Sequence, residues 1–419
     1  MIRKAWASGV KIEGMVPFLL PLALAQSSGG FALHDGDRVL FYGDSITDNQ
    51  FYPQYVENYV LTRFPNLRVS FVNYGWSGDR VTGGGGGDIE KRLSRDVFPW
   101  RPTVVTIMLG MNDGLYRPWD DNAARVFESG YEHILDELKT HGDPRVTIIK
   151  PSPYDDITLA TTGYNTVLQR FGDFLGGLAT KVGATVADFN APVVDLLNKA
   201  KATDPEGARK LIPDRVHPSP AAHMVMGDAL LRAWNAPSLV SAVQIDAGAP
   251  SVTTDNATVR DLKAANGAVS WRELDGSLPV YFDRDNSAVD LVLKSSTVFE
   301  DADQEPLKVT NLAAGSYTLT IDGENDGQFT ADQLGNGVNL AELKTPMMKQ
   351  SQTVAAWTAR RQFVRQTAWR NLLVDLDGLG LSQRENALRS MDRLEAEIVD
   401  RQRQSAKPVW HIFKLDKAG

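Results

Sequence analysis

The chain has 419 residues and a formal net charge of −8. At about 150 residues per domain, this length predicts two or three domains, and the acidic balance argues against a nucleic-acid partner, which would require a basic face. The sequence contains no cysteine. This excludes disulfides, thiolate catalysis, cysteine metal ligands and a lipid-modified N-terminal cysteine.

The first 25 residues have the pattern of an export signal. Basic residues precede an apolar stretch over residues 15–25, which ends in Ala-Leu-Ala. A short apolar core followed by a small-x-small site is typical of a cleaved signal peptide, and this core is too short to cross a bilayer as a helix. We therefore predict a signal peptide over residues 1–25, a secreted or periplasmic location and no transmembrane segment.

Between residues 37 and 234, apolar runs alternate with amphipathic stretches. Continuously apolar runs are typical of parallel strands that are buried on both faces. The five runs are 39–42, 69–72, 104–109, 146–149 and 184–189. The helical stretches are roughly 53–63, 89–98, 123–140, 164–182 and 221–234. This alternation predicts an open α/β sheet with right-handed crossovers, whose ligands bind beyond the carboxyl ends of the strands.

The pattern changes after Pro237. Short alternating runs, such as residues 316–321, predict a small β region over residues 237–344. Residues 345–419 are predicted to be a C-terminal helical region. Two helical stretches there, 355–376 and 382–402, are separated by a short glycine-containing segment, which favours an antiparallel helical hairpin.

Ser45 is a candidate nucleophile. Gly43-Asp44-Ser45 directly follows the first predicted strand, so Ser45 should lie on a loop at the carboxyl edge of the sheet. A serine hydroxyl is a poor nucleophile unless a base removes its proton. Taken alone, the same tripeptide is an ordinary turn, so the interpretation depends on finding a base.

His217 is the candidate base. Pro218 disfavours a helical conformation at His217, and Ser219 followed by Pro220 resembles the start of a helix. Asp214, three residues earlier, could accept a hydrogen bond from the imidazole and stabilise its protonated form, as in a catalytic triad. The alternative is a helix-entry turn in which Asp214 pairs with Arg215.

Two further strand ends carry candidate donors for an oxyanion. The backbone N–H of Gly78 follows the second strand within Asn73-x-Gly75-x-Ser77-Gly78, and the side-chain amide of Asn112 follows the third within Gly110-x-Asn112-Asp113. The N–H of Ser45 would be a third donor. Acyl transfer requires such donors because negative charge develops on the carbonyl oxygen. Each segment by itself also fits a structural turn.

These four segments resemble the four sequence blocks of the SGNH (GDSL-like) serine ester hydrolases, in the family's order. The resemblance covers roughly residues 36–236, and we assign the hydrolase domain to residues 31–236. It implies a flavodoxin-like three-layer sandwich with five parallel strands in the order 2-1-3-4-5. It also implies Ser45, Asp214 and His217 as catalytic residues, Ser45, Gly78 and Asn112 as the oxyanion hole, and no metal or organic cofactor.

The sequence leaves three functional hypotheses. The leading hypothesis is a secreted serine esterase that removes short acyl groups, such as acetyl, from carbohydrate-like or small-molecule esters by way of an acyl-enzyme. Trp76, Tyr116 and Trp119 follow the donor segments and could line a sugar-binding cleft. The alternatives are a lipolytic esterase, lysophospholipase or thioesterase acting on longer acyl chains, and a non-catalytic binding protein on a hydrolase scaffold.

Two other patterns have simpler interpretations. The segment from Asp322 to Gly327 resembles the first half of a calcium loop, but Gln333 stands where a glutamate ligand is expected, so a polar hairpin turn is favoured. An arginine-rich stretch has helical spacing and is interpreted as a solvated helix face. Its members are Arg360, Arg361, Arg365 and Arg370.

Overall fold

The computed structural model describes residues 30–265 and 267–418. The predicted signal peptide, residues 1–25, lies outside the described residues. Within the described ranges, no helix combines the length and apolar character that a membrane crossing requires.

A five-stranded parallel sheet forms the centre of the first region. The seven strands of this region are β1 (Arg38–Gly43), β2 (Ser70–Asn73), β3 (Gly83–Gly84), β4 (Gly87–Asp88), β5 (Val104–Met108), β6 (Arg145–Lys150) and β7 (Thr185–Asp188). The main sheet has the order β2-β1-β5-β6-β7, and all four of its pairings are parallel. The predicted strand order 2-1-3-4-5 is therefore confirmed, and β3 and β4 form a separate small hairpin.

Helices cover this sheet and complete the three-layer sandwich. They are α1 (Ser45–Asp48), α2 (Phe51–Arg63), α3 (Ile89–Arg92), α4 (Asp121–Thr140), α5 (Tyr164–Val182), α6 (Asn190–Thr203), α7 (Pro205–Arg209) and α8 (Pro220–Ala233). A π-helical turn over Leu93–Val97 and a 3-10 turn over Phe98–Trp100 follow α3. Helix α8 begins as its sequence indicates, because the Ser219 hydroxyl accepts a hydrogen bond from the N–H of Ala222 and Pro220 occupies the first turn.

The second region contains two further sheets. Its elements are β8 (Ala242–Asp246), β9 (Ser251–Asp255), β10 (Ala257–Ala265), β11 (Ala268–Asp275), α9 (Ser287–Ser295), α10 (Val298–Ala302), β12 (Pro306–Thr310), β13 (Ser316–Ile321), β14 (Glu324–Thr330), α11 (Ala331–Asn336) and β15 (Val338–Asn339). A four-stranded sheet has the order β15-β12-β8-β9. A 3-10 turn over Leu340–Glu342 leads out of this region.

Two long helices and a final strand end the described chain. They are α12 (Pro346–Gln366), which continues as π-helical turns over Thr367–Val374, then α13 (Arg384–Ser405) and β16 (His411–Lys417). The predicted C-terminal helical hairpin is confirmed, since α12 packs against α13.

Strand β16 was not predicted. It lies inside the stretch 345–419, which is predicted to be a helical region. Its buried His411, Phe413 and Leu415 alternate with more exposed neighbours, a period of two that is typical of a strand. Strand β16 occupies the middle of the second five-stranded sheet, whose order is β10-β11-β16-β13-β14.

Buried apolar side chains form two main clusters. The larger one surrounds the parallel sheet and also includes Val292 and Phe299 from the helices α9 and α10, together with Trp369. The second cluster contains residues from both sheets of the β region, and Trp271 stacks on Phe413 within it. Helices α9 and α10 therefore share a core with the parallel sheet.

The segment that resembles a calcium loop is the turn between β13 and β14. The Asp322 carboxylate accepts hydrogen bonds from His411 Nδ1 at 2.7 Å and from the N–H of Ile412 at 2.8 Å. Asp326 accepts from the N–H of Ile321 at 3.0 Å. In the part of the chain that the structure describes, no group of three or more histidine or acidic side chains is arranged to hold a metal ion.

Candidate active site

Ser45 lies where the first strand passes into the first helix. Strand β1 ends at Gly43 and α1 begins at Ser45, with Asp44 as the N-cap. The Asp44 carboxylate is fully buried and accepts a hydrogen bond from the N–H of Ile46 at 3.0 Å. Burial raises the pKa of Asp44 to about 8. The cap thus fixes the backbone on both sides of Ser45.

A continuous hydrogen-bonded set joins Ser45 to two residues from the loop before α8. The Ser45 Oγ lies 2.8 Å from His217 Nε2, and His217 Nδ1 lies 2.7 Å from Asp214 Oδ2. The segments are 172 residues apart in sequence. They meet because both lie at the carboxyl edge of the parallel sheet, where open α/β sheets bind ligands.

The Asp214 carboxylate is fixed by several donors. Its Oδ1 accepts the backbone N–H of His217 at 2.8 Å and that of Val216 at 3.0 Å. Partial burial opposes ionisation, but these backbone bonds and the bond from the imidazole together lower the pKa of Asp214 below its ordinary value. An ionised carboxylate in this place stabilises a protonated imidazole.

Arg215 does not pair with Asp214. The alternative of a helix-entry turn with an Asp214–Arg215 ion pair is therefore wrong. Arg215 has a φ of +75°, and its Nη1 donates to the carbonyl of Ala160 at 2.6 Å. Its nearest carboxylate is that of Asp156, at 3.9 Å. Asp214 is therefore available to His217.

The segment that contains Gly75 and Gly78 lies directly against helix α1, which begins at Ser45. A Cβ atom on Gly75 would lie 2.4 Å from the Asp48 nitrogen and 2.7 Å from the Thr47 carbonyl carbon, so only glycine permits this approach. The Asn73 side chain ties the two together, because its Nδ2 donates to the Thr47 carbonyl at 2.6 Å. Gly78 has a φ of +82°. Its N–H donates no hydrogen bond to any residue in the described ranges.

Asn112 is held at both ends of its side-chain amide. Its Nδ2 donates to the Asp79 carbonyl at 2.9 Å, and its Oδ1 accepts from the Tyr116 hydroxyl at 2.8 Å. These two contacts define which end of the amide carries the N–H groups. Asp113, next in the chain, is buried and accepts the N–H of Val81 at 3.0 Å, and burial raises its pKa to about 7.

The three aromatic residues that could line a sugar-binding cleft have different surroundings. Tyr116 is 46% exposed, and both it and Leu115 have positive φ values, 56° and 55°, a backbone strain that is common at functional sites. Trp119 is covered by the Arg170 guanidinium at 3.3 Å. Trp76 is covered by Arg370, also at 3.3 Å. Of the three, Tyr116 is the one with a widely exposed ring.

His223, in helix α8, is a packed histidine. It is fully buried, stacks on Tyr52 at 6.0 Å and meets the edge of Phe51. Burial lowers its pKa to about 3, so the ring is neutral near neutral pH.

The C-terminal helical region reaches the candidate active site, a contact that no sequence pattern predicts. Arg370 donates to Asp48 at 2.9 Å, and Gln366 donates to the same carboxylate at 3.3 Å. Arg361 is fully inside the protein and binds Glu57 at 2.8 Å. The prediction of a solvated arginine face is therefore wrong for Arg361 and Arg370. The partners lie more than 300 residues away in sequence, and no local pattern signals such a pairing.

Known proteins resemble both the site region and the whole fold. The profile of the GDSL-like Lipase/Acylhydrolase family matches residues 41–225. An acetylxylan esterase of Geobacillus stearothermophilus is 29% identical over 216 residues, which cover 47% of this chain and 93% of that protein. The solved structure of a gut microbial diltiazem-metabolizing enzyme is 25% identical, with a TM-score of 0.80, and the alignment covers 93% of this chain and 100% of that chain.

The parallel sheet and the family match together define a carboxylic ester hydrolase. Residues 41–225 match the GDSL-like lipase/acylhydrolase family. The resemblance to the SGNH hydrolases that the four sequence segments indicated is thereby confirmed.

Proposed function

We propose that Ser45, His217 and Asp214 form a catalytic triad that hydrolyses esters by way of an acyl-enzyme. The observation that carries the proposal is the continuous set of hydrogen bonds, 2.8 Å from Ser45 Oγ to His217 Nε2 and 2.7 Å from His217 Nδ1 to Asp214. Serine, imidazole and carboxylate in this order have the geometry that nucleophilic catalysis requires.

The reaction proceeds in two halves. His217 Nε2 takes the Ser45 proton as Oγ attacks the ester carbonyl, and the same nitrogen then protonates the leaving alcohol. In the second half, His217 takes a proton from water, the resulting hydroxide attacks the acyl-enzyme, and the proton returns to Ser45 as the carboxylic acid leaves. Asp214 stabilises the imidazolium in both halves.

The oxyanion of each tetrahedral intermediate is proposed to bind three N–H donors. These are the backbone N–H groups of Ser45 and Gly78 and the side-chain amide of Asn112. Two observations support the assignment: the Gly78 N–H is unused within the described ranges, and the Asn112 amide is oriented by bonds at both ends. N–H donors that the fold already holds in place need not rearrange when negative charge develops on the carbonyl oxygen.

We propose short acyl groups, acetyl in particular, as the acid part of the substrate and a carbohydrate-like alcohol as the other part. The similarity to an acetylxylan esterase supports this choice. A second candidate is an ester of a small, non-carbohydrate molecule. The similarity along nearly the whole chain to a diltiazem-metabolizing enzyme favours that alternative.

Export is proposed from the pattern of residues 1–25 alone. Expression of the full chain in a bacterial host with a Sec pathway should yield mature protein whose N-terminal residue is Gln26. Recovery of the uncleaved chain in the cytoplasm would contradict the proposal.

The triad is tested by Ser45→Ala, measured with p-nitrophenyl acetate. We expect kcat to fall by about 10⁴-fold or more, because the nucleophile is removed. Ser129→Ala is the matched control, since this exposed serine on α4 bonds only to carbonyls of its own helix. Ester cleavage by Ser45→Ala at the wild-type rate would refute the proposed triad.

The substrate class is tested with p-nitrophenyl esters from acetyl to palmitoyl, beside acetylated xylan and small-molecule acetates. A preference for acetyl, with release of acetate from xylan, supports the carbohydrate proposal. Turnover of small acetates without xylan supports the second candidate. A preference for long chains would indicate a lipolytic enzyme, and no turnover of any ester would indicate a binding protein.

A further inference from the structure

Two adjacent residues of the C-terminal helical region reach both sides of Gly78. Trp369 and Arg370 lie in the π-helical turns that extend α12. Trp369 is 2% exposed, and the Arg370 side chain is 19% exposed. Departures from α-helical hydrogen bonding of this kind are frequent at functional sites. Here they present two consecutive side chains to the loop that contains Gly78.

Arg370 acts on the residue before Gly78. Its guanidinium donates to Asp48 Oδ2 at 2.9 Å, and the same oxygen accepts the Ser77 hydroxyl at 2.7 Å and the Ser77 N–H at 3.2 Å. Asp48 is the last residue of α1, the helix that Ser45 begins. One carboxylate therefore links Arg370, the serine helix and the Gly78 loop.

Trp369 acts on the residue after Gly78, through two intermediates. Its Nε1 donates to Asp96 Oδ1 at 2.8 Å, and the other oxygen of Asp96 accepts a hydrogen bond from the fully buried Arg92. Arg92 Nε in turn donates to Asp79 Oδ2 at 2.8 Å. The Asp79 carbonyl is the acceptor for Asn112 Nδ2, so this chain of bonds also reaches the third proposed donor.

Ring contacts restrict the same loop. Trp76, two residues before Gly78, lies under the Arg370 guanidinium at 3.3 Å and meets the edge of Trp369 at 5.7 Å. Tyr74 is tilted against Trp369 at 4.7 Å. A guanidinium over an indole face is attracted electrostatically by the ring. These contacts leave little freedom for the backbone between Tyr74 and Asp79.

We propose that Trp369 and Arg370 are positioning residues that fix the Gly78 N–H for the oxyanion, so that the C-terminal helical region completes the active site. The inference rests on the proposed function, since it assumes that Gly78 is an oxyanion donor. Ser77 is linked to Arg370 through Asp48. Asp79 is linked to Trp369 through Arg92 and Asp96. Loss of either link loosens one side of the Gly78 turn and removes no residue of the triad.

The test uses the full chain with Arg370→Ala, beside Arg360→Ala as the control. Arg360 lies on the same helix and stacks on Trp357 at 5.1 Å. We expect kcat on p-nitrophenyl acetate to fall about 10- to 100-fold in Arg370→Ala with KM almost unchanged, because a misplaced donor weakens only the transition state. Arg360→Ala should retain the wild-type kcat.

A transition-state analogue separates positioning from general damage. Phenylboronic acid forms a tetrahedral adduct with an active-site serine, and one of its oxygens occupies the oxyanion position. Its inhibition constant should rise in Arg370→Ala by the same factor by which kcat/KM falls. Guanidinium chloride at millimolar concentration should restore part of the activity of Arg370→Ala and none in the control.

Arg370→Gln and Trp369→Phe are measured in parallel, so that the test does not depend on the folding of one variant. Each should reduce kcat about 3- to 30-fold, since each removes part of one anchor. A wild-type kcat in the folded Arg370 and Trp369 variants, or losses that follow only the folded fraction, would overturn the inference. If Ser45→Ala instead keeps its activity, the proposed function itself fails, which is a distinguishable result.

Discussion

The regions before and after Pro237 use polar and charged side chains in different ways. In the first, polar side chains gather at the carboxyl edge of one parallel sheet, where Ser45, His217 and Asp214 remain partly open to solvent. In the second, charged groups are used for attachment: Arg361, for example, is buried between Glu57 of α2 and Glu395 of α13. The first region contains the groups proposed to react, and the second fixes where they lie.

This difference shows that the side chains that position an active site can come from outside the domain that contains it. The parallel sheet brings strand ends together by topology alone. The loops between those ends still have to be fixed, and here some of the side chains that fix them come from helices more than 300 residues further along the chain. Variants in the two regions should therefore fail in different ways.

The largest effect is expected within the first region. His217→Ala should lower kcat by about 10⁴-fold or more, because the proposed base is lost. Stability should hardly change, since the ring is 38% exposed. Steady-state kinetics and a thermal melt check both points, with His133→Ala, an exposed histidine paired with Glu90, as the control. Retained activity would remove His217 from the mechanism.

The second region should show the opposite pattern. Arg361→Met leaves the buried Glu57 carboxylate without its cation and leaves Glu395 with Arg365 alone, which should cost about 3–5 kcal/mol in the free energy of unfolding. Urea denaturation measures this loss, and kcat per folded molecule should change little. Lys294→Ala, which breaks an exposed pair with Asp290, is the control and should cost less than about 1 kcal/mol. Equal losses of unfolding free energy in Arg361→Met and Lys294→Ala would contradict the proposed structural role of Arg361.

Asn112→Ala should lower kcat by about 10²- to 10³-fold and leave a folded protein, because one oxyanion donor is removed. Asn198→Ala, at an exposed helix position where the amide bonds only to Val194, serves as the comparison. A drop in stability that accounts for the lost activity would show that Asn112 has a structural role. The first region would then not differ from the second in this respect.

The smallest effect concerns acid stability. His223 has its pKa lowered to about 3 by burial, whereas the unfolded chain protonates this residue near pH 6.5. The stabilisation is therefore complete above pH 6.5 and is lost as the pH falls towards 3. Through His223, lowering the pH from 7.5 to 5 should reduce the free energy of unfolding of the wild-type protein by about 2 kcal/mol. In His223→Phe this contribution should be absent. Denaturant melts at the two pH values test this, and an unchanged pH dependence would contradict it.

The sequence was most informative where the signal was local. The five apolar runs indicated the five parallel strands, and the residues of α5 were predicted with their observed bounds, 164–182. The short segments around Ser45, Gly78, Asn112 and His217 indicated the family, although their catalytic roles stay predictions until the variants are measured. In each case a few neighbouring residues contain the whole pattern.

Features that depend on distant partners were not visible. Arg370 is separated from Asp48 by 322 positions, and an arginine on a helix is usually solvated. The orientation of Asn112 by Tyr116 and Asp79 likewise depends on the folded loops. Strand β16 did contain a period of two, but its place beside helical stretches led to a helical assignment for the whole segment.

The position of β16 also bears on how the protein is made. This strand pairs with β11 on one side and β13 on the other, so two half-sheets stay open until residues 411–417 leave the ribosome or the translocation channel. Open strand edges invite association with other chains, and long-range pairings form slowly. Nascent chains should thus be most prone to aggregate just before β16 is synthesised, when chaperones are most needed.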